Sequence, residues 1–106
     1  MNYLGDIKMT LQAGSAQTEI TPKDSQFLFG YPHVERYSTG VHDKLWSSSL
    51  YLSDGKNDCL FIANDIIFVG KDNVASARKR INEQTGIAAE HIMITATHTH
   101  SGPHTV

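Results

Sequence analysis

The sequence has a single cysteine, Cys59, which rules out an internal disulfide. This cysteine lies in the apolar stretch DCLFIAND, where a buried small hydrophobic side chain is expected rather than a nucleophile. No apolar run approaches the roughly 18 residues that a membrane-spanning helix needs, so no transmembrane segment is predicted. The first residues, MNYLGDIKMTLQAG, lack the basic and then apolar pattern of a secretory signal. A cytoplasmic location is the simplest expectation, although a fragment could have lost its targeting segment.

Neither sign of charge dominates the sequence. Nine lysine and arginine residues stand against eleven aspartate and glutamate residues, for a net charge of -2. The one basic cluster, Arg78-Lys79-Arg80, falls within a helix-like stretch, where a solvated helix face is its expected role. We therefore expect no nucleic-acid partner. With 106 residues, of which 40% are hydrophobic and 19% charged, the chain fits one small globular domain.

Two apolar stretches joined by a turn predict a β-hairpin. Residues 45–53 (LWSSSLYLS) alternate as a half-buried strand does, DGKND is typical of a turn, and residues 59–64 (CLFIAN) are apolar on both faces. An earlier strand is predicted over residues 11–21, because Thr21-Pro22 disfavours a regular continuation. Residues 1–9 are expected to form a loose leader.

Residues 71–86 predict a helix, which a strand over residues 91–97 follows. Asp72 is the expected N-cap, and Gly86 is the expected left-handed C-cap. A strand, a helix and a strand in this order form a βαβ unit with parallel strands. The sequence therefore predicts an α/β fold, with a mixed sheet built from a β-hairpin and a βαβ unit.

A long segment without a clean period, residues 22–44, separates the first strand from the hairpin. It contains Pro22, Gly30, Pro32 and Gly40. Irregular segments of more than about 12–15 residues are uncommon in compact domains unless they contribute to a site. We therefore look for part of a functional site in this segment.

Polar side chains follow both strands of the predicted βαβ unit. Asp65 comes directly after one strand, and His98 and His100 follow the other. Parallel strands place their carboxyl ends at one edge, where open α/β sheets bind ligands. A carboxylate and two imidazoles at such an edge have the composition of a zinc or other transition-metal site. On an extended segment, residues two apart point to the same side, so both histidines could reach one ion.

Other interpretations of these residues remain open at this point. Asp65 could instead cap the next segment, and His42 could be an exposed loop histidine. The pattern His-X-His-X-Asp-His of metallo-β-lactamase-like hydrolases is not met, because Gly102-Pro103 stands where the aspartate and the third histidine belong. The His-X-His of amidohydrolase barrels usually comes early in the chain, with no βαβ unit before it.

The stretch ATHTHSGP resembles the signature of the neutral/alkaline, non-lysosomal ceramidases, in their N-terminal catalytic domain. Four further segments are similar to the family in order and spacing: AGSAQTEITP, FGYP with STGVHDKLWSSSLYL, CLFIANDIIFVG, and GIAAEHIMITATHTHSGP. Together they cover about residues 12–103. On this resemblance, residues 1–106 form the N-terminal part of a ceramidase-type catalytic domain, which is a partial domain.

The resemblance implies a zinc enzyme that hydrolyses the amide bond of ceramide to sphingosine and a fatty acid. It implies that His98 is a zinc ligand and that His100 binds substrate near the reacting amide. Gly30 would line the substrate pocket through its backbone, and Asp65 and His42 would have supporting roles. The expected partner is a lipid or another amide substrate.

The sequence departs from the family in two ways. Ser47-Ser48-Ser49 stands where the family has Ala-Arg-Ala, so a hydrolase acting on a substrate other than ceramide is an alternative. The remaining zinc ligands of the family, a histidine, a glutamate and a tyrosine, come from far downstream. We therefore interpret the chain as a fragment that is inactive alone. A non-catalytic α/β binding module is the other alternative.

Overall fold

Four strands and one long helix form the regular structure of residues 10–105, which a computed structural model of the chain describes. The elements are β1 (Gln12–Glu19), β2 (Trp46–Ser53), β3 (Asp58–Asn64), α1 (Lys71–Thr85), a 3₁₀ turn (Ala89–His91) and β4 (Ile92–Ala96). The sheet order is β1-β2-β3-β4, with the first two pairings antiparallel and β3 parallel to β4. The predicted α/β fold with a mixed sheet is confirmed; the leader predicted over residues 1–9 lies outside the described residues.

The hairpin of β2 and β3 forms where the alternating pattern and the DGKND turn predicted it. The turn is stabilised by Asp54, whose carboxylate accepts the backbone N–H groups of Lys56 at 2.9 Å and Asn57 at 2.7 Å. These two bonds hold the pKa of Asp54 below its usual range, because they favour the ionised carboxylate. β3 occupies a central position between β2 and β4, as its apolar faces predicted.

The helix of the βαβ unit begins at Lys71, as predicted, but its N-cap lies two residues before the predicted one. Gly70, and not Asp72, is the N-cap: its carbonyl accepts the N–H of Val74 at 3.0 Å, and Asp72 lies within the first turn. A carboxylate there still interacts favourably with the helix dipole. The predicted C-cap is confirmed, because Gly86 adopts a left-handed φ of 79° and its N–H donates to Asn82.

Few side chains in the described part of the chain are buried. The buried apolar residues are Ile67, Ile87 and Ile92, at 2%, 7% and 2% exposure. They come from the segment after β3, the end of the helix and the start of β4. α1 is tied to the start of β4 by Arg78, whose Nε–H donates to the carbonyl of Ile92 at 2.8 Å. By contrast, every residue of β1 is exposed.

No described helix has both the length and the apolar composition that crossing a bilayer would require.

Candidate functional site

The carboxyl ends of β3 and β4 lie side by side, as the βαβ unit predicted. The N–H of Thr97 donates to the carbonyl of Asn64 at 2.9 Å, and the N–H of His98 donates to that of Ile66 at 3.0 Å. The chain that follows β4 is therefore fixed against the chain that follows β3. This arrangement brings the two histidines to the edge where open α/β sheets bind ligands.

His98 does not continue the strand. Its φ is 64°, in the left-handed region that residues other than glycine rarely adopt. The assumption of an extended segment is thus wrong at this position. The two rings nevertheless meet: the centroids of His98 and His100 are 4.8 Å apart, with the ring planes at 76°. Backbone conformations of this kind cluster at functional sites, where the surrounding contacts hold them in place.

The imidazole of His98 is oriented by a backbone carbonyl. Its Nδ1 lies 3.0 Å from the oxygen of Ile67. Because a carbonyl oxygen can only accept, Nδ1 carries the hydrogen in this bond, and the lone pair of the neutral ring is on Nε2. Metal-binding histidines usually donate their second ring N–H to a carbonyl or carboxylate in this way. The chemistry of His98 therefore fits a metal ligand bound through Nε2.

Gly30 and His100 are packed directly against each other in the lining of a cleft of about 610 Å³. A Cβ added to Gly30 would lie 2.6 Å from Cγ of His100, so only glycine permits this approach. Tyr31 contacts the other edge of the imidazole, with ring centroids 5.1 Å apart. Besides these residues and His98, the cleft is lined by Phe27, Leu28, Phe29, Pro32, His33, Val34, Glu35, Ile67 and Phe68. Three of the predicted site residues, Gly30, His98 and His100, thus share one largely apolar cleft.

Asp65 and His42 line a different cavity, of about 990 Å³, whose lining includes neither His98 nor His100. The carboxylate of Asp65 accepts the backbone N–H of Trp46 at 2.9 Å, which is a capping role. His42 is almost fully exposed and forms a 2.9 Å hydrogen bond with Asp43, and this bond raises the pKa of the imidazole. The predicted convergence of Asp65 with the two histidines is therefore not observed.

The described residues do not complete a metal site. Within residues 10–105, no group of three or more histidine, cysteine, aspartate or glutamate side chains could hold an ion. A catalytic zinc normally takes three protein ligands and keeps one open position. His98 fits the part of one such ligand. His100, two residues further on, lies beside it in the cleft.

Three features of the cleft were not predicted from the residues themselves. Nothing in the sequence indicated the carbonyl of Ile67 as the partner of His98. The rings of Tyr31 and Phe68 lie beside the histidines, and the centroid of the Phe68 ring is 5.1 Å from that of His98. No periodic pattern in the sequence indicated that these two aromatic residues would lie there. Arg36, which lies in the irregular segment, donates a 2.7 Å hydrogen bond to the carbonyl of His100. The length of that segment was the signal that it contributes to a site.

A family model described as neutral/alkaline non-lysosomal ceramidase, N-terminal, matches residues 11–106. The chain therefore belongs to the neutral/alkaline non-lysosomal ceramidase family, within its N-terminal region, as the resemblance of ATHTHSGP predicted.

Two solved structures share the fold. The crystal structure of neutral ceramidase from Pseudomonas aeruginosa matches with a TM-score of 0.80 at 21% identity, over 92% of this chain and 16% of that one. A ceramidase complexed with C2 matches with a TM-score of 0.79 at 22% identity, over the same 92% and 16%. The chain thus spans about 16% of the length of each of these proteins.

Proposed function

We propose that this chain forms part of a zinc-dependent amide hydrolase of the ceramidase type, which splits ceramide into sphingosine and a fatty acid. Membership of the family supports a ceramidase-type role. The observation that carries the zinc proposal is the His98 ring: its Nδ1 is committed to the carbonyl of Ile67 at 3.0 Å, which leaves Nε2 for an ion. The strand-end location and the neighbouring His100 support the same conclusion.

The residues of the cleft have distinct roles in this proposal. When bound, zinc supplies Lewis acidity, which an unreactive amide carbonyl requires. His98 holds the ion through Nε2, and His100 binds the substrate and can move a proton at a ring nitrogen. Gly30 lines the cleft through its backbone, directly beside the His100 ring. Phe29 and Phe68, whose rings are 6.2 Å apart, provide apolar surface that suits a lipid chain.

The remaining zinc ligands are proposed to come from polypeptide beyond these 106 residues. One histidine ligand binds zinc weakly, so the isolated chain should lack amidase activity. Ser48 stands where the family has arginine, which favours an amide other than ceramide as the second candidate substrate. A non-catalytic binding module is the remaining alternative, and a polypeptide that supplies no further zinc ligands would favour it.

The test uses the polypeptide at the full length that its gene encodes. Release of fatty acid is measured from an N-acylsphingosine and from a simple N-acyl amine, before and after chelation and zinc addition. His98→Ala should lower the rate at least about 100-fold, because even the outer partners of a zinc ligand are worth roughly 10–100-fold. His91→Ala is the matched control, since His91 is exposed and lies in the 3₁₀ turn away from the cleft.

The outcomes separate the candidates. Zinc-dependent cleavage of both substrates, lost with His98→Ala and kept with His91→Ala, supports the hydrolase. Cleavage of the simple amide alone favours the substrate other than ceramide. Activity that neither chelation nor His98→Ala affects would contradict the zinc proposal, and a full-length protein without hydrolytic activity would favour the binding module.

A further inference from the structure

The irregular segment before β2 folds back on itself and lies along the chain after β4, residues 97–104, which we call the histidine loop. Within it, Phe27 bridges to Tyr37, and the N–H of Leu28 donates to the carbonyl of Arg36 at 2.8 Å. Across the gap to the histidine loop, Leu28 bridges to Pro103, and the N–H of His104 donates to the carbonyl of Phe27 at 3.0 Å. These backbone contacts hold residues 27–28 and 36–37 in place. The turn between them carries Gly30 and Tyr31, and within it the N–H of Val34 donates to the carbonyl of Tyr31 at 3.2 Å.

Arg36 is the side chain that ties the middle of the segment to the histidines. Its Nη2 donates to the carbonyl of His100 at 2.7 Å and to that of Phe29 at 3.4 Å. Its guanidinium carbon lies 4.5 Å from the centre of the Tyr31 ring, which is cation–π geometry. The side chain is half-buried, and its Nε is buried without a hydrogen-bond partner among the described residues.

The contacts of Arg36 determine where the ring of His100 can lie. Tyr31, on which the guanidinium stacks, packs its ring against one side of the imidazole, with 5.1 Å between centroids. Gly30 limits a second side, and the ring of His98 lies 4.8 Å away on a third. Arg36 itself touches the backbone of His100 and the Tyr31 ring. It therefore acts on the imidazole through other groups.

We infer that Arg36 is a positioning residue, which fixes the imidazole of His100 by holding its carbonyl and by clamping Tyr31 against it. A role of this positioning in amide hydrolysis rests on the proposed function. The contacts of Arg36 with His100 and Tyr31, which we call the clamp, do not depend on it.

The two contacts explain why the residue is an arginine. A planar guanidinium can donate in its plane to the His100 carbonyl while it stacks by its face on Tyr31. A lysine ammonium could reach the carbonyl, but it has no plane to stack. Arg36→Lys should therefore keep the charge and loosen the clamp, and Arg36→Ala should remove both contacts.

The test is NMR spectroscopy of the polypeptide at the full length that its gene encodes, with labelled tyrosine and histidine, in its wild-type form and with Arg36→Lys, Arg36→Ala and Arg80→Ala. Arg80 is an exposed arginine on α1 and serves as the matched control. The measurements are the cross-peaks between the ring protons of Tyr31 and His100 and the chemical shifts of both rings. Amide resonances of β2 report whether the sheet is intact, and the His98 Nδ1 proton reports whether the Ile67 bond persists.

We expect Arg36→Ala to abolish the cross-peaks between Tyr31 and His100 and to shift both rings, while the sheet and the Ile67 bond are unchanged. Arg36→Lys should weaken the same cross-peaks, and Arg80→Ala should leave them as in the wild type. Should Arg36→Ala fail to fold, Arg36→Lys decides, because ring shifts identical to the wild type would overturn the inference. Spectra of the chain are independent of hydrolysis, so an inactive full-length protein would refute the proposed function and leave this result standing.

Discussion

At the scale of single residues, the cleft depends on how closely the backbone at Gly30 approaches His100. Gly30 has a φ of 122°, which side-chain-bearing residues rarely adopt, and its Cα leaves no room for a methyl group. Position 30 therefore requires glycine for two separate reasons: the positive φ and the lack of space for a Cβ beside His100. A substitution there should disturb the imidazole as well as the loop.

Gly30→Ala is predicted to destabilise the chain and to displace the His100 ring. The strained φ alone should cost about 1–3 kcal/mol, and the clash with the imidazole adds to it. Gly40→Ala is the matched control, because a Cβ at Gly40 meets nothing within 4 Å, and its expected effect is within about 0.5 kcal/mol. Urea unfolding measures the first effect, and the chemical shifts of the His100 ring measure the second. Equal stability of the two variants would contradict the steric argument.

At the scale of elements, Asp65 closes the open end of the hairpin. Its backbone N–H donates to the carbonyl of Trp46 at 2.9 Å, while its carboxylate accepts the N–H of Trp46 at 2.9 Å. The first residue of β2 is thereby tied to the first residue after β3. This pairing also turns the carboxylate toward the start of β2 and away from the histidines.

Asp65→Ala is predicted to lower the free energy of unfolding by about 1–3 kcal/mol, because the part-buried N–H of Trp46 loses its acceptor. Asp65→Asn keeps an oxygen at the same position and should cost less. Urea unfolding measures both variants, and zinc affinity should be the same in both. If Asp65→Asn were as damaging as Asp65→Ala, or if zinc affinity fell, the negative charge would matter and the capping role would not be sufficient.

At the scale of the whole molecule, one face of the sheet carries a row of exposed apolar side chains across three strands of the described structure. Leu50, Phe61 and Met93 are register neighbours on three adjacent strands and are 41%, 39% and 54% exposed. Contiguous apolar surface of this kind favours association with other protein surface. The small number of buried side chains has the same implication.

The isolated chain is therefore predicted to self-associate through this row. Phe61→Thr removes the central aromatic ring but keeps a residue that favours strands, so it should reduce association. Ala63→Ser is the matched control, because it changes polarity on the same face and removes little apolar area. Sedimentation velocity over a range of concentrations measures the effect. The same concentration dependence for both variants and the wild type would exclude the row as the cause.

The sheet and the helix could be predicted from the sequence because local patterns determine them. Alternation over residues 45–53 and the left-handed cap at Gly86 are local signals, and the structure has both features. Asp72 was misplaced as a cap because an acidic residue suits the first turn as well as the N-cap. Such errors shift an element boundary and leave the fold intact.

The detailed geometry of the cleft could not be predicted in the same way. A left-handed φ is uncommon even for histidine, so the conformation of His98 depends on its contacts with Ile66 and Ile67 in the chain after β3. Arg36 lies 64 positions before His100, in a segment without periodicity, and only the folded chain brings the two together. The predicted roles of His98, His100 and Gly30 remain predictions, although the structure places all three in one cleft.

The exposure of β1 has a consequence for hydrogen exchange. None of its side chains is buried, and its backbone pairs only with β2 within the described sheet. β1 can therefore separate from β2 without breaking the pairings of β3 with β2 and β4. Amide protons of β1 should then exchange by local fraying, well before those of the central strand β3. We therefore expect β1 to unfold locally while the βαβ unit that carries the histidines stays folded.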